Sequence, residues 1–426
     1  MLPLVLLLGT HTLWAAQSPS VGAVSNQADP AQKAESTPSP PVDSPQTWQF
    51  RFDGVLFGTF NNQGGRRGET ELRSQNWLMA MGSRPLGSGT FTVTGMMTAE
   101  PLTVGRAGYS EIFQEGEAYQ QLQITDRQHP HDLFMQLSVA WRVPLGARTH
   151  LTLAGGPVGE PALGPVPFMH RASSVENPSA PLSHHIFDST HSASGVALAR
   201  LDRGIVSIEG SVFRGREPDE HRYDLQTGAL DSWAARIWLR PRPEWTLQAS
   251  HGFLHEPEEL EPGDQRRTNG SVSWFRQRDS DYTAFTAAIG RNARPYSVVY
   301  AVLLEGTHRF GRTSLYSRFE RTSVETEILL FPQVVHRPHP GELVDSIRAF
   351  TAGSVRDVKR VRALSIGIGG DATWYGVPPL LDVTHGAHPF SFHLFVRVSR
   401  AGTSGRMWNM TMAEHAAADH EHMHHP

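Results

Sequence analysis

Apolar and polar residues alternate in short segments along most of the chain. In the segments 229–240, 361–374 and 390–400 the apolar residues are spaced two apart. Because successive side chains of a β-strand point to opposite faces, this spacing predicts strands with one apolar and one polar face. Sixteen such segments can be counted: 48–60, 70–82, 89–99, 132–143, 148–157, 194–201, 204–216, 229–240, 244–255, 269–278, 281–291, 297–310, 312–324, 346–357, 361–374 and 390–400.

The connections between these segments alternate between tight turns and long polar loops, the longest being 101–131, 158–193 and 325–345. This alternation is typical of bacterial outer-membrane barrels. On the polar faces of the segments lie Arg236, Arg240, Arg318, Glu320, Arg362 and Arg397. They would face water in a soluble sandwich, or line a wet lumen in a membrane barrel. Closure removes exposed strand edges, so we predict an all-β antiparallel transmembrane β-barrel of about 16 strands, with 14 to 18 allowed.

The ends of the chain differ from this pattern. Residues 1–16 contain a short apolar run before Ala15 and Ala16, which predicts a signal peptide. Residues 17–46 are rich in Ser, Pro and Ala and predict a disordered linker. The barrel is expected over 47–400. Residues 401–426 are rich in Met and His without an apolar period, which predicts a disordered tail.

Composition narrows the partners. The formal net charge is −4, and the basic residues form no stripe along the chain. Nucleic acid is therefore not expected as a partner. The chain has no cysteine, so only His, carboxylate and Met side chains remain as metal ligands. The expected partners are outer-membrane lipid and metal ions, copper or zinc, and a homo-oligomer is left open. No other cofactor is predicted.

Histidines are concentrated between residues 126 and 191. In the block DRQHPHD, His129 and His131 flank Pro130, which favours an extended backbone and points both imidazoles the same way. One ion could then meet both, with Asp126 or Asp132 as a third ligand or as the acceptor that orients an imidazole. The alternative is that these side chains only satisfy one another's hydrogen bonds inside a polar lumen.

The second block, SHHIFDSTH, spaces His184, Asp188 and His191 at i, i+4 and i+7. A short helix capped by Ser183 would place all three on one face. A set of nitrogen and oxygen ligands of this kind suits zinc or Cu(II), although hydrogen bonding within the lumen is again the alternative. His170 and His185 are further candidates.

The tail adds Met residues and the candidate ligands His415, His420, His422, His424 and His425, a mixture that suits copper in both oxidation states.

Four stretches together resemble a known family: DRQHPHDLFMQLSVAW, FMHR, ENPSAPLSHHIFDSTHSASGV and PFSFHLFVRVSR. They are similar to an uncharacterised family of bacterial outer-membrane β-barrel proteins that is associated with heavy-metal efflux. The blocks DRQHPHD and SHHxxDSTH carry most of the likeness, which extends over about 48–400. It implies an outer-membrane location in a Gram-negative bacterium and carries no established activity.

Two functions are therefore expected from the sequence. The first is a porin-like pore for small solutes, associated with copper or zinc. The alternative is a plugged barrel that binds metal, or serves a structural role, without conducting. A barrel hydrolase is a distant third, because Ser173, Ser183 and Ser189 lie among histidines but no G-x-S-x-G nucleophile elbow is present. We expect no enzymatic activity. The path of loop 158–193 should decide between pore and plug.

Overall fold

A computed structural model describes residues 47–415. The predicted signal peptide, the predicted linker, and the candidate ligands His420, His422, His424 and His425 lie outside these residues. Between residues 47 and 415 no helix is both long and apolar enough to cross a membrane.

The described chain is built almost entirely of β-strands. They are β1 (Gln49–Asn62), β2 (Thr70–Arg73), β3 (Asn76–Leu86), β4 (Gly89–Met97), β5 (Tyr109–Tyr119), β6 (Leu122–Gln128), β7 (Phe134–Gly146), β8 (Thr149–Gly159), β9 (Ala193–Arg203), β10 (Val206–Phe213), β11 (Ser232–Arg242), β12 (Trp245–Leu254), β13 (Gln265–Arg278), β14 (Asp281–Ala293), β15 (Val298–Phe310), β16 (Thr313–Glu325), β17 (Val344–Val361), β18 (Leu364–Gly376) and β19 (Phe390–Arg400). The helices are short: α1 (Glu100–Thr103), α2 (His184–Phe187), α3 (Thr326–Leu330) and α4 (Pro379–His385), with 3-10 turns at Phe168–His170 and Ser189–Ser192.

Strand pairing closes the sheet into a barrel. On one edge β1 pairs antiparallel with β19, from Val55 opposite Ser399 to Asn62 opposite Phe392. On its other edge β1 pairs with β3 along its first half and with β2 along its second half. The strands β2 and β3 are therefore two parts of one interrupted strand, and the ring is a closed antiparallel barrel of 16 strands. This confirms the predicted fold, and each of the sixteen predicted segments overlaps one barrel strand.

The outer face of the barrel is apolar. Along β15 and β16 buried and exposed positions alternate, and the exposed ones include Tyr300, Val302, Leu304 and Phe319. An apolar band around a closed barrel is the surface that meets lipid, since closure leaves no backbone hydrogen bonds unmade in the membrane. The protein is an outer-membrane β-barrel of the Gram-negative type.

One polar-face assignment from the sequence needs correction. Arg362 does not lie on a strand, because it occupies the turn between β17 and β18 with a φ of +54°. Tyr375 on β18 faces the lumen. Its ring packs 5.4 Å from that of Phe113, a residue of the hairpin β5–β6.

The lumen is filled by two inward-folded segments. Residues 160–192, which we call the lumen segment, are almost all buried. The backbone nitrogen of Gly164 donates to Ser250 on β12 at 2.9 Å, and Ser179 accepts from Arg73 on β2 at 2.8 Å. Because β12 and β2 lie on nearly opposite sides of the ring, the lumen segment crosses the barrel. The hairpin β5–β6 folds inward beside it, where Asn61 on β1 donates to the carbonyl oxygen of Ser110.

Residues 401–415, which we call the C-terminal segment, also enter the lumen. The segment begins beside the short β17–β18 turn, where the backbone nitrogen of Ala401 donates to Ala363. Its Met407 and Met412 are buried, and Glu414 pairs with Arg200 at 3.2 Å and with Arg240. The prediction of a disordered tail from residue 401 is thus corrected for 401–415. The lumen offers this segment buried apolar surface and arginine side chains with which Glu414 pairs, and neither follows from the composition of the tail.

Candidate metal centre

Three histidines from distant parts of the sequence converge inside the lumen. One ring nitrogen of each of His131, His184 and His191 lies within 4.8 Å of the other two. All three side chains are buried, with 1–8% of their surface exposed. His131 follows β6 directly after Pro130, His184 opens α2, and His191 lies in the next 3-10 turn. The structure therefore joins one member of the HPHD block to two members of the second block.

Each of the three imidazoles is oriented through its Nδ1 atom. The Nδ1 atom of His131 lies 2.8 Å from the Glu100 carboxylate, that of His184 lies 2.7 Å from Asp188, and that of His191 lies 2.6 Å from the carbonyl oxygen of Asp188. Since these partners accept hydrogen bonds, each Nδ1 carries a proton, and in the neutral ring the Nε2 atom then has a free lone pair. The three Nε2 atoms are buried and have no hydrogen-bond partner. An unpartnered buried acceptor is costly in a purely structural histidine, but it is the normal state of a metal ligand before binding.

A buried ion-pair network holds this arrangement. Asp188 accepts from Arg171 at 2.7 Å and from the backbone nitrogen of Phe168 at 2.9 Å. Arg171 in turn donates to Glu305 on the barrel wall at 2.7 Å. The carboxylate that orients His184 is thereby fixed to the wall through one arginine. Burial would raise the pKa of Asp188, but Arg171 and His184 outweigh it and lower that pKa, so the carboxylate stays charged.

Protonation differs among the three ligands. Burial lowers the pKa of His184 to about 4, and burial with the neighbouring His131 lowers that of His191 to about 3. Both rings are therefore neutral at neutral pH, the form that binds metal. Burial also opposes charge on His131, yet the Glu100 carboxylate outweighs it and raises the pKa of this histidine.

Several predicted ligands lie beside the three-histidine centre and do not join it. His129 has its ring centre 5.9 Å from that of His131, while its Nδ1 atom faces Glu117 at 3.0 Å. The expectation that His129 and His131 meet one ion is therefore not met by this geometry. The ring of His185 packs 5.2 Å from that of His129. His184 and His185 are consecutive residues of α2, and consecutive residues of a helix point about 100° apart, so their rings diverge.

The predicted carboxylate ligands have other partners. Asp132 pairs with Arg222 at 3.3 Å, so it is held away from the centre. Asp188 orients His184 through Nδ1, which makes it a supporting residue and corrects its prediction as a ligand. Ser183 makes no helix cap, since its hydroxyl donates to Glu320 at 2.6 Å. His170 and His415 lie together elsewhere in the lumen, with their ring centres 6.3 Å apart.

Sequence reasoning missed Glu100 and Arg171. Glu100 precedes His131 by 31 residues and also accepts from its backbone nitrogen at 3.0 Å. No local spacing signals that pairing, because it depends on how two ends of one long loop meet. Arg171 follows His170 in the FMHR stretch, and its position among histidines was the one available signal.

The donor set consists of three imidazole nitrogens with no fourth described residue in the group. Three histidines with an open fourth position form a known zinc arrangement, in which the ion is tetrahedral. Copper(II) also accepts imidazole ligands. The residues therefore fit a borderline divalent metal better than calcium or magnesium, which prefer oxygen ligands.

Comparisons with known proteins add only a likeness of fold. No family model and no curated protein matches the chain. Among solved structures, it is similar to Pseudomonas putida OprB at 10% identity, covering 83% of this chain and 94% of that one with a TM-score of 0.49. It is similar to Salmonella typhi OmpF at 10% identity, covering 82% and 97% with a TM-score of 0.49. It is also similar to a loop-deletion mutant of the Vibrio cholerae outer membrane protein OmpT at 8% identity, covering 83% and 99% with a TM-score of 0.48. At these scores the likenesses carry no argument about function.

Proposed function

We propose that this outer-membrane barrel is a plugged, non-conducting protein that binds a divalent transition metal, zinc or Cu(II), at His131, His184 and His191. The observation that carries the proposal is the convergence of three buried, unpartnered Nε2 atoms whose Nδ1 atoms are all fixed by acceptors. Carboxylate or carbonyl partners on Nδ1 set the tautomer and raise the basicity of the ligand.

The pore expected first from the sequence is less well supported than the plugged alternative. The lumen segment lies between β2 and β12, and the C-terminal segment fills space near the short-turn end. A solute would have to displace both segments. Their buried ion pairs make that costly, because breaking such a pair leaves an uncompensated charge. The absence of enzymatic activity remains a prediction.

Zinc titration of the refolded full-length protein tests the metal centre. Histidines 420, 422, 424 and 425 are first replaced by serine, so that only sites inside the barrel are counted. We expect one tight zinc equivalent, and a tetrahedral spectrum when Co(II) replaces zinc. His184→Gln should weaken zinc binding by on the order of 100-fold or more, since it removes a ligand as well as its orienting contact.

His185→Gln is the matched control, because His185 is the adjacent residue on the same helix and is outside the convergent group. It should leave zinc affinity within a few-fold of the parent. Equal zinc binding by the parent and the His184→Gln variant would rule out the centre. Loss of binding in His185→Gln with retention in His184→Gln would assign the ligands differently and contradict the proposal.

A further inference from the structure

Methionines are concentrated at one place in the lumen. Seven of the chain's 11 methionines pack in a single cluster around Trp77: Met79, Met81, Met96, Met135, Met169, Met407 and Met410. They come from the wall strands β3, β4 and β7, from the lumen segment and from the C-terminal segment. Methionine fills irregular gaps well, so packing alone would explain one or two of them. A cluster of seven also brings together several thioethers, which are soft metal ligands.

Two histidines with unpartnered ring nitrogens border this cluster. The His170 ring lies edge-on to Trp77 with the ring centres 5.0 Å apart, and its Nδ1 atom is buried and unpartnered. His415 is only 2% exposed, and neither of its ring nitrogens has a partner. The two ring centres are 6.3 Å apart. With metal–nitrogen bonds of about 2 Å, one ion bound by a nitrogen of each ring reaches this separation when the two nitrogens lie on nearly opposite sides of the ion.

The backbone holds the two histidine-bearing segments against each other. The backbone nitrogen of Asn409 donates to the carbonyl oxygen of His170 at 2.7 Å. The Asn409 side chain in turn accepts from the backbone nitrogen of Ala172 at 3.0 Å. Met169 precedes His170, while Met407 and Met410 flank Asn409, so these thioethers are held at the junction of the two segments.

We propose that His170 and His415, together with the thioether of Met407 and that of Met169 or Met410, form a second metal site that binds a soft monovalent cation, Cu(I). The site shares no ligand with the three-histidine centre, so it does not depend on the function proposed above. It is built where the C-terminal segment, entering from the short-turn end, meets the lumen segment. Short turns face the periplasm in barrels of this type, so Cu(I) would reach the site from the periplasmic side.

The test is Cu(I) binding under reducing, oxygen-free conditions, in competition with a chromogenic Cu(I) chelator. The parent is the full-length chain with His420, His422, His424 and His425 replaced by serine and Met423 by leucine. We expect one Cu(I) equivalent in the parent. Met407→Leu preserves volume and removes only the sulfur, and His170→Phe preserves the ring against Trp77. Each should weaken Cu(I) binding on the order of tenfold or more, because each removes a ligand.

Matched controls are Met97→Leu and His251→Phe, since both side chains are exposed on the lipid face. They should bind Cu(I) as the parent does. His184→Gln should also retain Cu(I), whereas its loss would place the ion at the three-histidine centre and overturn the proposal. Unchanged binding in both Met407→Leu and His170→Phe would overturn it as well.

Heat-modifiable gel mobility shows whether each variant has refolded. If a variant has not, X-ray absorption on the Cu(I)-loaded parent tests the site without any variant. Sulfur and nitrogen together in the copper coordination shell support the site. A shell of nitrogen and oxygen alone would mean that the methionines serve packing only, and the proposal would fall.

Discussion

At the scale of single residues, Asp188 links the three-histidine centre to the barrel wall. It orients His184 through one carboxylate oxygen and accepts from Arg171 through the other, while its carbonyl oxygen orients His191. Arg171 in turn donates a hydrogen bond to Glu305 on β15. Two of the three ligands therefore owe their orientation to one residue. Supporting residues of this kind tune metal affinity without touching the ion.

Asp188→Asn should therefore weaken zinc binding about 10- to 100-fold while leaving one equivalent bound. The amide keeps the shape of the side chain but removes the charge that holds His184 and Arg171. The measurement is competitive zinc titration at pH 7, in the parent whose tail histidines are serine. Asp219→Asn is the control, since Asp219 lies in an exposed loop and contacts His221 there. Zinc affinity unchanged in Asp188→Asn would show that the carboxylate has no part in orienting the ligands.

At the scale of elements, the loop 255–264 is more buried than its sequence suggests. Four glutamates in seven residues suggest a solvated acidic loop, but Glu258 and Glu261 are only 8% and 9% exposed. Both pair with Arg294, at 3.3 Å and 2.5 Å, and Arg294 also pairs with Glu325. One arginine thus faces three carboxylates. Burial and the neighbouring carboxylates raise the pKa of Glu258 to about 7 and that of Glu261 to about 8.

These pKa values predict that the folded barrel loses stability as the pH rises from 6 to 9. Both pKa values lie above the unfolded value of about 4.3, so the folded state binds more protons between these limits. The stabilising contribution of the two protonated glutamates is fully present below their unfolded pKa. It is lost as the pH rises through their folded-state pKa values of about 7 and about 8. The thermal unfolding midpoint in detergent should be lower at pH 9 than at pH 6. Glu261→Gln should flatten that difference, and the exposed Glu256→Gln should not. A midpoint that rises over this range would contradict the assignment.

How far the sequence predicted each element depends on where its partners lie. The sixteen wall strands were predicted because lipid on one side and lumen on the other impose a period of two. The hairpin β5–β6 was missed, since both faces of β5 are buried and Glu111 and Glu115 interrupt any apolar period there. The histidine blocks were found by composition. The sequence did not reveal that three of these histidines form one centre while His170 and His415 lie apart from it. That arrangement depends on Glu100, Arg171 and the C-terminal segment.

At the scale of the whole molecule, the inside of the barrel is occupied by segments that pair with its wall. Wall arginines that would line an open pore are instead paired with inward-folded segments. Arg236 donates to Glu160 at 2.9 Å, and Arg318 donates to the carbonyl oxygen of Ser179 at 3.0 Å. Arg200 pairs with Glu414 of the C-terminal segment. Buried polar groups are nearly always paired, and here the lumen segment and the C-terminal segment provide the partners.

We therefore expect the refolded full-length protein to produce no stable conductance steps in a planar bilayer, with or without micromolar zinc or copper. Displacing the lumen segment would break the buried ion pairs Arg171–Glu305 and Arg236–Glu160, which costs several kcal/mol for each pair. Replacing residues 165–190 by a short Gly-Ser linker removes the crossing and should yield open steps, provided that heat-modifiable gel mobility shows a folded barrel. Stable steps in the unaltered protein at neutral pH would mean that a solute path bypasses both segments. The pore would then replace the plugged barrel as the better description of its function.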